Sequence, residues 1–311
     1  MRILVTGGSG MLGRAILKAF KTSAGNHVIY SPPHSDLDLL DLKSVSHYLS
    51  ENQINSIIHC AALVGGVQAN RARPFEFINS NIRMDSNLMS AAFSEGVAKF
   101  LYIASSAMYP AVTSQPMKEI QLLNGKPEPS NEGYALAKII GTKTMELVGN
   151  NLNWRTLILS NMYGPGDNYQ DNRSQLIAAI IKKVSNAKNN GEGYIQMWGT
   201  GEARREFTFV NDVAEYISSI VLRQEMIPQT MNLGSGIDYS IREYYEFVCQ
   251  ALGYEGEIRS DSSRPEGMHL KLMDSSIALQ NGWKPRVGIK EGIQIAIDDY
   301  MSAGNSCGDF L

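Results

Sequence analysis

Three glycines in the run Thr6-Gly7-Gly8-Ser9-Gly10-Met11-Leu12-Gly13 follow the apolar segment Arg2–Thr6 and open an amphipathic one. That arrangement constrains the fold more than any other feature of the chain. A buried strand turning on glycine into a helix is the first unit of a parallel α/β sheet. Gly7 permits the tight turn, Gly10 lets the backbone approach a pyrophosphate, and Gly13 lets helix and strand pack closely. The helix N-terminus, with Met11 and Leu12 in its first turn, offers N–H groups and partial positive charge to phosphates. The loop therefore predicts a dinucleotide site. With the strand starting at Arg2, no secretory leader is expected.

Downstream, apolar runs alternate with amphipathic segments. Strands are expected at Arg2–Thr6, His27–Tyr30, Ser56–Ala62, Lys99–Ser105 and Trp154–Ser160, and helices at Gly10–Thr22, Ser44–Glu51, Asn79–Ser94 and Tyr134–Gly149. This alternation predicts an α/β fold with a doubly wound parallel sheet. Right-handed crossovers place helices on both faces. After Asn161 the texture changes. A Gly/Asp/Asn-rich loop spans Tyr163–Arg173, and helices are expected at Leu176–Asn186, Ile241–Leu252 and Lys290–Met301. Short strands are expected at Ile195–Trp198, Glu206–Val210 and Met231–Gly234, and the stretch Tyr254–Pro265 is polar. Residues 1–165 and about 207–240 are expected to form the dinucleotide-binding domain. Residues 166–206 and 241–301 are expected to form mainly a smaller mixed α/β lobe, with 302–311 as a tail.

The net charge of −3 suggests no nucleic-acid partner, and no stretch approaches the roughly 18 apolar residues of a membrane span. The three cysteines, Cys60, Cys249 and Cys307, have neither metal-ligand nor disulfide spacing, so reduced thiols in a cytoplasmic protein without metal are expected. Cys60 reads as a small core residue.

An NAD site wants an acid at the end of the second strand, on the ribose 2′-OH. Here that strand runs into Tyr30-Ser31-Pro32-Pro33-His34, and Asp36 and Asp38 come later. The missing acid favours NADP (NADPH) over NAD, although His34 is the sole nearby group for a 2′-phosphate. Asp41 and Leu42 are expected near the adenine, and Ala61 and Ala62, ending the third strand, beside the cofactor.

In Tyr134-Ala135-Leu136-Ala137-Lys138 the i, i+4 spacing puts Tyr134 and Lys138 on one helix face. Reducing a ketone needs a proton for oxygen as hydride reaches carbon. A phenol of pKa about 10 does this at neutral pH only if a nearby cation favours its phenolate, a charge Lys138 can supply. Ser105 or Ser106, ending the fourth strand, can hydrogen-bond the same oxygen. Such strand ends are where ligands bind in open α/β sheets.

Together these features resemble the extended short-chain dehydrogenase/reductases. More narrowly, several stretches resemble the GDP-L-fucose synthase family, the GDP-4-keto-6-deoxymannose epimerase-reductases. They are Ala62–Asn70, Ser105–Pro110, Gln115–Glu119, Glu128–Glu132, Trp198–Gly201 with Arg205–Phe207, 264–267 and Gly282-Trp283. The resemblance covers nearly the whole chain. It implies a Rossmann-type sheet with a substrate lobe, a homodimer, NADPH as reductant and catalysis by Ser105, Tyr134 and Lys138. It places Asn161, Lys183, Trp198 and Arg205 around a GDP-linked 4-keto-6-deoxy sugar, with Ser106. Arg204 reads as part of a solvated face, and Trp198 is equally readable as core. Asp167, Asn168 and Asn172 either shape the sugar pocket or make turns.

Two positions depart from that family. Its pattern has a cysteine after the two serines and a histidine after the serine of a Ser-His-Val-Ile-Pro-Ala stretch. Here they are Ala107 and Gln175. Inverting a carbon beside a ketone needs proton carriers beyond Tyr134. Ala107 has no proton to exchange and Gln175 cannot titrate, so reduction without C3/C5 epimerisation is expected. The alternatives are a bifunctional epimerase/reductase with relocated groups (His269, Cys60 or Tyr109) and a nucleotide-sugar 4-epimerase or dehydratase. Ala107-Met108 stand where related dehydratases have Asp-Glu, which argues against dehydration. A catalytically silent cofactor sensor would have lost Tyr134 and Lys138.

Overall fold

Strand β1 (Arg2–Thr6) is buried from Ile3 onward, and its side chains divide between two cores. In the computed structural model, which describes residues 1–22, 27–148, 152–170, 174–263 and 267–305, Ile3 and Val5 pack on α1 (Met11–Thr22). Leu4 points the other way, into a core shared with α2 (Leu42–Glu51). The period of two along a strand makes this division, and a parallel sheet needs both faces covered.

The sheet adds β2 (Val28–Tyr30), β3 (Ser56–His59), β4 (Lys99–Ser105), β5 (Asn153–Leu159) and, from much later in the chain, β9 (Thr230–Leu233). Its order is β2-β1-β3-β4-β5-β9, every pairing parallel. This is a Rossmann-type doubly wound sheet. On one face α1 and α7 (Val210–Ile220) pack with Trp283; on the other lie α2, α4 (Pro74–Ser94), α5 (Glu132–Leu147) and Trp154. The chain turns to opposite sides of β1 to form β2 and β3, so a crevice opens beyond the carboxyl ends of β1 and β3. Gly7 follows β1, Cys60 follows β3, and Ser105 ends the adjacent β4.

A second group of elements carries its own core. Strand β8 (Arg204–Phe209) is flanked by β10 (Asp238–Ser240), β12 (Leu270–Lys271) and β6 (Asn161–Tyr163). Phe207 and Phe209 pack with Ile180, Ile181 and Val184 of α6 (Leu176–Asn189), Tyr244 and Val248 of α8 (Ile241–Leu252), and Ile293 and Ile297 of α10 (Ile289–Asn305). Strand β7 (Tyr194–Trp198) pairs in parallel with β11 (Glu257–Asp261) as a two-stranded ribbon. Short helices α3 (Val67–Ala72) and α9 (Ser276–Gln280) complete the order.

Several elements differ from the sequence expectations. The expected strand Glu206–Val210 stops at Phe209, because Val210 begins helix α7 with no intervening turn residue. Strand β11 lies in the stretch read as polar; its residues are exposed or half-buried, so no apolar pattern marks it. Strand β3 ends at His59, and Cys60–Ala62 run along the crest of the sheet. Helix α5 starts two residues before Tyr134; Gly149, its expected end, lies outside the described residues, as do Asn172, Arg173, 264–266 and 306–311. Among the described residues no helix is long and apolar enough to cross a membrane.

Candidate active site

The crevice is walled first by the glycine turn. Gly7 has φ +69°, a left-handed conformation open to glycine at little cost, and its carbonyl accepts from Gly10 N–H at 3.0 Å. A Cβ on Gly7 would sit 2.7 Å from Ala61 N, and one on Gly13 would sit 2.2 Å from Gly7 O. Gly10 differs: a Cβ there meets only Gly7 O, at 3.3 Å. The turn is therefore packed behind and open in front, the shape needed for a pyrophosphate to approach the backbone and the N-terminus of α1. Leu12 turns its side chain into the core, so what it offers the crevice is backbone. Ala61 and Ala62 line the crest beside the turn, with Ala61 N–H donating to Thr6 Oγ1 at 3.2 Å.

Beyond β2, Ser31 Oγ lies 1.8 Å from where a Cβ on Gly8 would be, so this hydroxyl abuts the glycine turn. Nothing in the spacing singles Ser31 out; the contact depends on the return of β2 beside β1. His34 is exposed, 3.8 Å from the Asp38 carboxylate. Asp41 caps α2, accepting from Lys43 N–H at 2.9 Å, and Leu42 is exposed in the first turn.

The candidate catalytic residues meet across β4 and α5. Ser105 ends β4, and Tyr134 in the first turn of α5 hydrogen-bonds to its side chain. Burial raises the Tyr134 phenol above its usual range, the Asp85 charge adds to this, and Ser105 partly offsets it. Lys138 is fully buried one turn on, with Nζ 3.8 Å from Asp85 Oδ2 and 4.4 Å from the centre of the Tyr102 ring. His59, Asp85 and Tyr102 went unmarked in the sequence, because they sit on three separate elements with no shared spacing.

Ala107 lies buried in a single 3₁₀ turn, Ser106–Met108, and its N–H donates to Ser105 Oγ at 3.2 Å; Ser106 is buried beside it. Gln175 is the N-cap residue of α6, with no side-chain cap bond, and the preceding Ser174 carbonyl lies 3.5 Å from a Cβ position on Gly66. Of the other proton carriers named from the sequence, Cys60 and Tyr109 are held protonated by burial. Burial pushes the Cys60 thiol up to about 12, and the Lys138 charge only partly opposes this. Burial likewise raises the Tyr109 phenol, which donates to Asn232 at 2.6 Å. His269 is exposed beside β8, its carbonyl accepting from Arg204 N–H at 2.7 Å.

Strand β8 organises the remaining polar groups. Arg205 pairs across the ladder with Lys271, and burial plus the Arg205 charge push the Lys271 ammonium down to about 8. Asn161, on β6, donates to Glu206 O at 3.1 Å. Burial pushes the Glu206 carboxyl up to about 7, and it accepts from the backbone N–H groups of Gly236 and Met273. Arg204 is half-exposed and pairs with Asp238 and, at 3.4 Å, with Glu243. Lys183 and Trp198 lie together, Nζ 5.9 Å from the indole, and Trp198 is exposed rather than core. Asp167 and Asn168 each accept from backbone N–H groups just ahead, as turn-making residues do.

The profile of the "NAD dependent epimerase/dehydratase family" matches residues 3–234. The chain is 39% identical over 303 residues to a GDP-L-fucose synthase of Azorhizobium caulinodans, covering 97% of this chain and 96% of that one. It is 37% identical over 309 residues to a GDP-L-colitose synthase of Yersinia pseudotuberculosis, covering 98% and 100%. Among solved structures, a GDP-6-OMe-4-keto-L-xylo-heptose reductase from C. jejuni superposes with TM-score 0.89 at 27% identity, covering 97% and 98%.

Proposed function

The chain belongs to the NAD dependent epimerase/dehydratase family, and from that premise we propose that it reduces the C4 ketone of a GDP-linked 4-keto-6-deoxy sugar, hexose or heptose, with NADPH and without C3 or C5 epimerisation. One observation carries this reading. The residues read as reducing groups, Ser105, Tyr134 and Lys138, are present, while Ala107 and Gln175 stand where the resemblance to the GDP-L-fucose synthase family expects the cysteine and histidine of epimerisation. The colitose and fucose synthases and the heptose reductase named above supply the class of sugar nucleotide.

When bound, the reduced nicotinamide would supply the hydride. The chain supplies the rest. Backbone N–H groups at the start of α1, with Gly10, would hold the cofactor's pyrophosphate, and Ser31 and His34 offer hydroxyl and imidazole rather than carboxylate after β2, which suits NADPH over NADH. Tyr134 gives its proton to the ketone oxygen, and Ser105 holds that oxygen by a hydrogen bond. Burial and the Asp85 charge hold the Tyr134 phenol above its usual range, the opposite of the lowering by Lys138 expected from the spacing, and so keep it protonated, as a proton donor must be. Arg205, Lys271 and Lys183 balance the diphosphate, and Asn161 and Trp198 line the same approach.

We read the α4–α5 face as the seat of a second copy of the chain. These helices pack side by side and flank a cleft of about 570 Å³, and Phe93, Ile140 and Leu147 on it are exposed. Two such pairs form a four-helix bundle. Sedimentation equilibrium is expected to give twice the 34.3 kDa chain mass; a single-chain mass sinks the dimer.

The function is tested with a panel of GDP-4-keto-6-deoxy sugars. One NADPH is expected to be oxidised per alcohol formed, with NMR identifying the product. Conversion without net NADPH oxidation identifies a 4-epimerase instead.

A further inference from the structure

Lys138 does not stand alone behind Tyr134. Thr6, His59, Asp85 and Tyr102, all buried, form a connected polar cluster with it between β1, β3, β4, α4 and α5. Thr6 Oγ1 accepts Ala61 N–H, so its own hydrogen is free to reach His59 Nδ1 at 2.7 Å. His59 Nε2–H then donates to Asp85 Oδ1 at 2.9 Å. Tyr102 donates its hydroxyl to Asp85 Oδ2, the same oxygen that lies 3.8 Å from Lys138 Nζ. Burial holds the His59 imidazole below its usual range, and therefore neutral, which matches this tautomer. Asp85 thus accepts from two neutral donors and faces one cation.

A buried carboxylate so held stays ionised. Burial alone raises the Asp85 carboxyl, but Lys138, His59 and Tyr102 outweigh it and hold it below the usual range. An ion pair taken out of water is a poor way to gain stability, since desolvation offsets the attraction. Its place one turn from Tyr134 gives it a use.

We infer that Asp85, held by His59 and Tyr102, is a positioning residue for the reduction: the counter-ion that keeps Lys138 cationic and Tyr134 protonated, the doubly protonated pair that donates to substrate. This rests on the reductase function proposed above. The titratable groups facing the pair are His59 and Cys60 from the β3 end, Tyr102 from β4 and Tyr134 from α5. None of these four carries a negative charge near neutral pH; Asp85 does. Burial holds the Lys138 ammonium below its usual range and the Tyr134 phenol above its own; the Asp85 charge opposes the first shift and adds to the second, so it resists deprotonation of both. Removing it lowers both pKa values, so both effects move the basic limb of the pH profile the same way, to lower pH.

The test is Asp85→Asn in the full chain, with kcat/KM for NADPH-dependent reduction followed against pH. The basic limb is expected to move down by about one to three pH units, the effect of an adjacent opposite charge. Tyr102→Phe removes a hydrogen bond but leaves the charge, and should leave the limb in place; Asp85→Glu should return it toward wild type. A folded Asp85→Asn enzyme with an unmoved limb overturns the inference, since a merely structural Asp85 would change stability or kcat alone. Should Asp85→Asn not fold, the wild-type protein without cofactor answers the question. The ¹³Cε resonance of Lys138, assigned by comparison with Lys138→Arg, should show a charged ammonium throughout the neutral range, and a neutral Lys138 at pH 7 overturns the counter-ion role. If the wild type oxidises NADPH with no sugar of the panel, the reductase function fails, while the resonance still decides the charge of Lys138.

Discussion

Tyr134→Phe is expected to lower kcat for the ketone reduction by about 10²- to 10⁴-fold, the range a positioned general acid contributes. The substitution removes one hydroxyl and leaves the ring. Tyr134 sits in the first turn of α5, with its hydroxyl on Ser105 and its neighbours Ala135 and Ala137 packed in the interior. The helix therefore keeps its place, and the glycine turn, on another part of the crevice, is untouched. NADPH affinity, measured by fluorescence titration, should change little. Loss of affinity together with turnover would mean that Tyr134 builds the cofactor site rather than donating the proton. Unchanged turnover would remove it from the mechanism.

Gly13→Ala has the largest expected effect on the cofactor. The new Cβ lies 2.2 Å from Gly7 O and 2.7 Å from Gly8 Cα, both backbone atoms of a turn closed by the Gly10–Gly7 hydrogen bond. No side chain can rotate away, so α1 or the turn must shift. Overpacking of this kind costs about 1–3 kcal/mol. The melting temperature should fall, and NADPH affinity should fall at least about tenfold as the N-terminus of α1 leaves the turn. Gly10→Ala is the matched control. Its Cβ meets Gly7 O at 3.3 Å and is otherwise open to the crevice. It should weaken NADPH binding by blocking the approach of the pyrophosphate, with little loss of melting temperature. Equal melting temperatures for Gly13→Ala and wild type would contradict the packing account.

These effects were legible in the sequence because each depends on local spacing. Strand, glycine turn and helix at residues 2–22 are read from neighbouring residues, as is the pairing of Tyr134 with Lys138 on one helix. Strand β4 and helix α8 are bounded where their apolar periods and caps end, at Lys99–Ser105 and Ile241–Leu252. What the sequence hides is non-local. Helix α7 follows β8 without a turn residue to punctuate it, and β11 is an exposed ribbon with no apolar alternation. Lys271 acquires its place beside Arg205 only through a two-residue strand far along the chain. The Asp85 cluster is the strongest case. Thr6, His59, Asp85 and Tyr102 come from four elements, and each alone reads as an ordinary core or helix residue. Only the parallel packing of β1, β3 and β4 under α4 and α5 brings them to hydrogen-bond distance.

Ala107 and Gln175 carry the claim that separates this chain from an epimerase-reductase. Of the substitutes named from the sequence, Cys60 and Tyr109 are held protonated by burial, and His269 is exposed beside β8. Reduction of a GDP-4-keto-6-deoxy sugar by NADPH in D₂O, with the product examined by NMR and mass spectrometry, tests that claim most directly. The predicted product carries no solvent deuterium on carbon at C3 or C5 beyond that gained by the free substrate, and keeps the substrate's configuration at both. Enzyme-dependent deuterium at either carbon, with inversion, would contradict it.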